Sequence, residues 1–586
     1  MKLFFQTPFE LISKSFTSWH MGLQHSSAIE VAKQRVMMIG GVVTLGFLAV
    51  IIRLGDVMLI KQRTRYQQTE QETFQVNRAD IVDRNHEVLA TNISTASAYA
   101  NPKQIINLEE AVQKLSTVLI DLSPEEIKKR LSCEKNFVWL ARHISPKLQS
   151  DINALGIPGV YMYKDQTRVY PHGPLASHLL GVCGIDGNGL SGIECSYDAT
   201  LQRDKSTPLE LSIDIRIQHI LREELLKGVE EFSAKGANAI AMNAKTGEIL
   251  GMVSLPDFDP HLPSKYDKDS FFNRNTLGTY EPGSVFKILN VAIALESGKA
   301  KLDSIFDGSA PVQIGKFKVT DFKGLNRPMT LAEAFVKSSN IASIKIAQRF
   351  GVSVQKEYMK KFGALDKVSL ELPEVGNPMI PKDWREVSMM TVAYGYGISQ
   401  TPLQLITMIT NVVNDGVKVK PTLMKQKEIQ ISSEDRILSS KTSKIVRNLM
   451  RQVALEGTAR KANVEGYDVF GKTGTAYKKQ EKGGYGSDAN RERRTTFIGG
   501  FPEHDPEITL IVMVDDPKAT KETAGYQTAG WNAAKIAGKI IEKIGPLYVH
   551  NVPESSLTKT VQKDVIDEEI EKPVVKKIGL KIEDNE

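Results

Sequence analysis

Cysteine is scarce in this chain: three among 586 residues exclude a disulfide framework, and the odd number leaves at least one thiol unpaired within it. An excess of one charge sign is also missing. Lys and Arg number 75 against 69 Asp and Glu, and the surplus of 6 is too dilute to mark a nucleic-acid-binding protein. The ten histidines form no H-E-x-x-H pattern, and His172, His178 and Cys183 read as packing or surface residues rather than ligands. No metal and no cofactor are therefore expected. Internal repeats are absent. A mean hydropathy of -0.23 excludes a polytopic membrane protein but allows a single span. What is present is ordinary: 41% hydrophobic and 25% charged residues describe a folded chain, not a disordered one. The length fits about three or four domains, or one unusually large one.

One apolar run stands out. Val36 to Ile52 (VMMIGGVVTLGFLAVII) is uncharged for about 17 residues, the lower limit for a membrane-crossing helix. The run continues beyond Arg53 and Asp56 to Ile60, a reach of roughly 37 Å as a helix. It begins well inside the chain, and no A-x-A-like site follows, so it reads as an uncleaved signal anchor over 36–60 behind a cytoplasmic tail over 1–35. Lys33 and Arg35 precede it, while Arg53, Lys61, Arg63 and Arg65 follow. Counting flanking cations therefore does not fix its direction.

Residues 61–76 are polar and read as a stalk. From Asn77 to Lys205 short apolar runs alternate with turns such as PHGP and DGNG. The texture changes after Leu209. Ile215 to Phe232 repeats apolar residues at helical spacing, and Asn238–Met242 and Ile249–Ser254 flank NAKTGE as a hairpin. Strands are expected at Thr495–Phe501 and Ile508–Val514, and a helix near Trp531–Ile544. A strand pair, a long helical middle, then strands and a closing helix predict an α+β domain over 206–548. The tail over 549–586 mixes acids, lysines and prolines without aromatics past Tyr548, a disordered composition.

Candidate chemistry centres on Ser284. Pro282-Gly283 marks a helix start and Gly298 a stop, which puts Ser284 in the first turn and Lys287 beside it at i+3. The helix that follows is apolar nearly all round, so it should be buried. Burial disfavours an ammonium, leaving a neutral amine able to take the serine proton, while the helix start favours a developing oxyanion. That is the physical case for an activated nucleophile. The S-x-x-K pattern alone carries little, since it recurs at Ser132–Lys135, Ser353–Lys356 and Ser556–Lys559, which read as solvated surface. Ser338-Ser339-Asn340 and then Lys472-Thr473-Gly474-Thr475 follow in order. Another Lys-Thr-Gly, Lys245–Gly247, occupies the hairpin turn.

The ordered set S-x-x-K, S-x-N, K-T-G resembles the active site of the penicillin-interacting serine enzymes. Arg78 to His86 (RADIVDRNH) resembles the first pedestal motif of class B penicillin-binding proteins. Arg168-Val169-Tyr170-Pro171 with His178 and Gly181, then Gly189 to Glu194, resemble the later ones. Tyr394-Gly395-Tyr396-Gly397 through Leu405 is similar to the family's helix ahead of the third motif. Ala79 and His86 depart from the pattern, which has glycine at both places. The stretch Lys478–Arg494 is long, charged and glycine-bearing, and a mobile loop is expected there.

The resemblance implies a membrane helix, an elongated pedestal over 61–205, and a transpeptidase domain whose antiparallel sheet is packed with helices. It implies D,D-transpeptidation of D-Ala-D-Ala stem peptides through a serine acyl-enzyme, with β-lactams trapped at the same serine. In that scheme Ser284 is the nucleophile, Lys287 its base, and Ser338 a proton relay between Lys287 and Lys472. Asn340 holds the donor amide. Lys472, Thr473, Gly474 and Thr475 bind the terminal carboxylate, and the amides of Ser284 and Thr475 form the oxyanion hole. The short tail, single anchor and compact pedestal look most like the septal, division-specific subclass, with the elongation-type subclass as the alternative. A D,D-carboxypeptidase or a β-lactam-binding sensor on the same fold are further alternatives. Such substrates lie outside the cytoplasmic membrane, which puts the domain in the periplasm and the anchor in the inner membrane. No glycosyltransferase domain is recognisable, so a membrane glycosyltransferase and other division proteins are the implied partners, met through the membrane helix and pedestal. Whether Cys183 and Cys195 pair is left open by the sequence.

Overall fold

The structure, a computed structural model, describes residues 28–55, 78–315, 317–322, 324–426, 435–478 and 491–548. The stalk, the tail over 549–586 and residues 479–490 of the expected loop lie outside the described residues. The chain separates into two compact units, Met1–Gln75 and Val76–Glu586.

In the first unit, α1 (Ala28–Gly55) starts earlier than the apolar run alone indicates. Its window Arg35–Leu54 has a mean hydropathy of 2.2 over 20 residues, about the length that a bilayer's hydrocarbon core requires. Large apolar side chains point outward all along it, Val36 at 70% and Phe47 at 67% exposure. A helix whose apolar side chains are exposed on every side suits lipid.

The second unit begins with the pedestal. Its strand β1 (Val88–Ala100) is followed by helices α2 (Leu108–Val118) and α3 (Pro124–Leu131), strand β2 (Val138–Ile144), helix α4 (Pro146–Ala154) and strand β3 (Val160–Val169). Strand β1 lies between β2 and β3, antiparallel to both. Its inward residues Ala96, Ala98 and Ala100 are small, so the three helices approach closely and bury Leu115, Ile127 and Ile152 against them. Asn107, Ser123 and Ser145 cap those helices by accepting from the amides of Glu110, Glu126 and Leu148.

The segments that resemble pedestal motifs meet at one buried carboxylate. Arg78 Nε donates to Glu194 Oε2 at 2.5 Å, Arg168 Nε donates to Glu194 Oε1 at 2.7 Å, and Arg78 also reaches Asp198 at 2.5 Å. Glu194 is completely buried, so two guanidinium groups compensate an anion that water cannot reach. At the two departures from the pattern the backbone behaves differently. His86 keeps the left-handed conformation a glycine would adopt, φ 66°, whereas Ala79 is buried and its amide donates to Leu201 O. Asp83 then joins pedestal to catalytic domain by accepting from Asn85 N, Glu87 N and Ile215 N. Cys133, Cys183 and Cys195 are all free thiols.

In the catalytic domain, α5 (Ile215–Glu231) leads into the hairpin β4 (Gly236–Asn243) and β5 (Ile249–Leu255). The Lys245–Gly247 triplet sits in that turn, where Asn243 Oδ1 accepts from Lys245 N and Thr246 N. Helices α6 (Lys287–Glu296), α7 (Leu331–Val336), α8 (Asn340–Phe362), α9 (Pro402–Val413) and α10 (Ser440–Glu456) form the middle. Strands β6 (Phe470–Tyr477), β7 (Arg493–Phe501) and β8 (Ile508–Asp515) and helix α11 (Ala533–Tyr548) close the domain. The sheet runs β6-β7-β8-β4-β5, every neighbour antiparallel. Helices α5 and α11 cover one face; α9 lies on the other, its Thr410 hydroxyl 2.7 Å from that of Thr509 in β8. Covered on both faces, β4 and β5 are buried along almost their whole length, which explains why their sequences are apolar apart from Asn238, Asn243 and Ser254. Strand β6 is left as an edge.

Candidate active site

The site forms where the edge of β6 meets the start of α6. Gly283–Phe286 is a 3₁₀ turn, and the α-helix begins only at Lys287. With about three residues per turn, side chains at i and i+3 eclipse, so Ser284 and Lys287 lie on one line. Ser284 is half-buried and Lys287 is 1% exposed. The turn is held from behind by Gly395, whose carbonyl accepts from Gly283 N at 3.0 Å. Gly395 has φ 89°, and a Cβ there would overlap the Gly283 carbonyl oxygen, so only glycine permits this approach. In front, a Cβ at Gly474 would stand 3.0 Å from Pro282 O and Val285 Cγ1, which is how closely the β6 edge approaches the turn.

The register of β6 decides which amides face the serine. Lys478 N donates to Glu492 O, one step beyond the Tyr477–Arg493 pair. In an antiparallel ladder bonded pairs alternate, so Ala476, Gly474 and Lys472 bond to β7 while the amides of Tyr477, Thr475 and Thr473 point out of the free edge. Tyr477 N is taken by the Tyr396 phenol oxygen. Thr475 N remains directed at the nucleophile turn, where an amide donor stabilises an oxyanion.

Lys287 Nζ donates to Ser338 O at 2.6 Å, Asn340 Oδ1 at 2.8 Å and Ser338 Oγ at 3.2 Å. Ser284 is not among its partners in the described residues. Burial, and then the nearby Lys472 cation, hold the Lys287 amine well below the ordinary lysine range, with Asp321 opposing them. Ser338 lies between α7 and α8 in the left-handed region, φ 60°, an uncommon conformation for a residue with a Cβ. The segment after it is fastened by Asp321, whose carboxylate accepts from Ser339 Oγ at 2.7 Å, Asn340 N at 2.5 Å and Ile341 N at 3.1 Å.

Lys472 is fully buried, and burial pushes its amine down to about 7. Its Nζ is 3.4 Å from Thr473 O and 5.8 Å from the centre of the Phe335 ring. Among the described residues it makes no bond to Ser338, which is paired with Lys287 instead. Side chains alternate along a strand, so Thr473 and Thr475 lie on the face opposite Lys472. The Thr473 hydroxyl bonds that of Thr458, and Thr475 Oγ1 accepts from Ala529 N at 3.2 Å. The structure thus gathers Ser284, Lys287, Ser338, Asn340, Lys472 and the Gly474–Thr475 backbone around one point, with the Thr473 and Thr475 side chains on the strand face opposite Lys472. A serine, a buried amine of lowered basicity one turn away, and outward amides on a strand edge can carry acyl transfer through a serine ester.

Asp321, Thr458 and the backbone role of Gly395 do not emerge from the sequence. A capping residue is legible when it sits next to its helix; Asp321 acts on Ser339 from 18 residues away, through a loop without periodicity.

Comparison with known proteins agrees with this arrangement. Residues 237–542 match the penicillin binding protein transpeptidase domain, and residues 73–207 the penicillin-binding protein dimerisation domain. The chain is 34% identical over 514 residues to stage V sporulation protein D of Bacillus subtilis, covering 80% of this chain and 78% of that one. It is 32% identical over 481 residues to the probable peptidoglycan D,D-transpeptidase FtsI of Caulobacter vibrioides, covering 80% and 81%. Among solved structures, penicillin binding protein 3 from Mycobacterium tuberculosis, complexed with aztreonam, superposes with a TM-score of 0.64 at 25% identity, over 80% of this chain and 96% of that one. With both domain families in their expected order and the three motifs converging at one point, the chain belongs to the class B penicillin-binding proteins.

Proposed function

We propose that this chain is a membrane-anchored peptidoglycan D,D-transpeptidase of the septal type, with Ser284 as its nucleophile. The observation that carries the reading is Lys287: buried, depressed in basicity, and bonded to Ser338 and Asn340 one turn from Ser284. In the first step Ser284 Oγ attacks the carbonyl carbon of the penultimate D-alanine and its proton passes to the neutral Lys287 amine. The amides of Ser284 and Thr475 receive the oxyanion. As the peptide C–N bond breaks, the proton moves from Lys287 through the Ser338 hydroxyl to the departing D-alanine nitrogen. The amine of a second stem then attacks the ester, Ser284 regains a proton, and a cross-link remains. Asn340 positions the donor amide, and Lys472 with the Thr473–Thr475 strand holds the terminal carboxylate. An arriving carboxylate favours the ammonium form of Lys472, whose pKa of about 7 lets it take up a proton readily. β-Lactams acylate the same serine.

The chain divides in this reading into a tail over 1–35, an anchor over 36–60, a stalk and pedestal over 61–205, and a catalytic domain over 206–548, the last two supported by the matched spans 73–207 and 237–542. The anchor sits in the inner membrane with the catalytic domain periplasmic, because the wall substrate lies there. Long domains translocate largely regardless of flanking charge, which accommodates the basic residues after the span. A membrane glycosyltransferase and other division proteins meet the chain through α1 and the pedestal. Purified protein given donor and acceptor stems is expected to form cross-linked dimers, and Ser284→Ala to form none. Release of D-alanine without dimers would contradict transpeptidation. Depletion in the source bacterium is expected to give filaments; round cells would place the enzyme in elongation.

A further inference from the structure

We infer that Asp321 is a positioning residue for the reaction: its carboxylate sets the Ser338–Asn340 segment against Lys287, and its charge faces that lysine. The inference rests on the proposed role of Lys287 as the base.

The geometry is a clasp. The first amides of an α-helix have no partner within the helix and must be satisfied from outside. At the start of α8, Asn340 N and Ile341 N both donate to Asp321 Oδ1, at 2.5 and 3.1 Å. Ala342 N donates to Ser339 Oγ at 3.0 Å, and that hydroxyl in turn donates to Asp321 Oδ2 at 2.7 Å. The residue before Asp321 completes the grip, since Thr320 O accepts from Asn340 Nδ2 at 3.0 Å. This fixes which way the Asn340 amide faces: its nitrogen is held by Thr320, so its oxygen is presented to Lys287 at 2.8 Å.

Ser338, immediately before the clasped segment, has φ 60°. A non-glycine residue in that region is strained and persists where its surroundings over-determine it. Asp321 provides that constraint on the C-terminal side, and the Ser338 N to Phe335 O bond at 3.1 Å provides it on the other.

The electrostatic part is separable. Among the described residues, the charged groups acting on Lys287 are Lys472 from β6 and Asp321 from the loop after the hairpin Val312–Ile314 and Phe317–Val319. They act in opposite directions: Lys472 disfavours the ammonium and Asp321 favours it. Removing the Asp321 charge therefore shifts Lys287 further toward the neutral amine.

The test measures the acylation rate constant of the full chain in detergent with a fluorescent penicillin, from about pH 5 to about pH 9. Asp321→Asn keeps an acceptor for the two amides and removes the charge. Its acid limb is expected to move to lower pH, while its plateau falls by less than about tenfold. Asp321→Ala removes the clasp as well, and its plateau is expected to fall about 100-fold, the scale of a small misplacement of reacting groups. A role confined to folding leaves the position of the acid limb unmoved. An Asp321→Asn profile superimposable on the parent's overturns the electrostatic role, and an Asp321→Ala plateau at the parent level overturns the positioning role. Should the alanine variant not fold, the limb of the asparagine variant decides. Ser284→Ala is the control: labelling of that variant would defeat the underlying reading independently of Asp321.

Discussion

Lys472→Met separates what the fold needs from what the chemistry needs. The lysine is fully buried, and burial lowers its pKa from 10.5 to about 7. Between those values the unfolded chain binds a proton that the folded chain does not, so stability rises with pH across this window. Above about 10.5 the side chain is neutral in both states and titration contributes nothing; the penalty grows as pH falls and is complete below about 7. At roughly 1.4 kcal/mol per unit, the gap corresponds to about 5 kcal/mol at low pH, about 4 at pH 7 and about 2 at pH 9. Methionine keeps the apolar stem. It forgoes the 3.4 Å contact to Thr473 O and the approach to the Phe335 ring, which offset the gain by roughly 1–2 kcal/mol. The variant should therefore be more stable than the parent by about 2–3 kcal/mol at pH 7, and the difference should shrink toward zero by about pH 9. Acylation should fall in the same variant, because the terminal carboxylate loses its cation. Guanidinium unfolding of the full chain in detergent, followed by tryptophan fluorescence at both pH values, measures the first effect. A variant less stable at pH 7, or a pH-independent difference, would refute the reasoning.

Other perturbations address other parts of the site. Asn340→Ala removes the 2.8 Å partner of Lys287 and should lower the acylation rate by about 10–100-fold, with the unfolding midpoint moving little. Gly395→Ala drives a methyl into the Gly283 carbonyl at φ 89° and should abolish penicillin labelling and lower the melting temperature together. Retained labelling would mean that the turn does not depend on that contact. Glu194→Gln leaves Arg78 and Arg168 without a buried counter-charge and should destabilise the pedestal by about 3–5 kcal/mol, read as earlier proteolysis. Unchanged proteolysis would show that the carboxylate is replaceable.

The parts that the sequence made legible are local. Helix α5 and the β4–β5 hairpin show their periods and turn residues directly, and Ser284 with Lys287 share one turn. The 3₁₀ character of that turn was not legible, because Pro282-Gly283 announces a helix start without specifying its pitch. Strands β7 and β8 were visible as apolar runs, but the pairing of β8 with β4 spans more than half the domain and depends on packing, not propensity. The motif segments around Arg78, Arg168 and Glu194 were recognisable by resemblance. That they converge on one carboxylate is a three-dimensional fact. Strand alternation explains why the Thr473 and Thr475 hydroxyls face away from Lys472, and it becomes usable only once β6 is known to be an unbroken edge strand. Asp321 has no signature at all, since its partners are local to one another but not to it.

The central claim is that Ser284 is the acylated residue. Peptide mapping by mass spectrometry, after reaction of the full chain with a penicillin, tests it most directly. The account predicts one adduct, on the peptide containing Ser284, and none in the Ser284→Ala variant. An adduct on any other serine, or undiminished labelling of the variant, would contradict it.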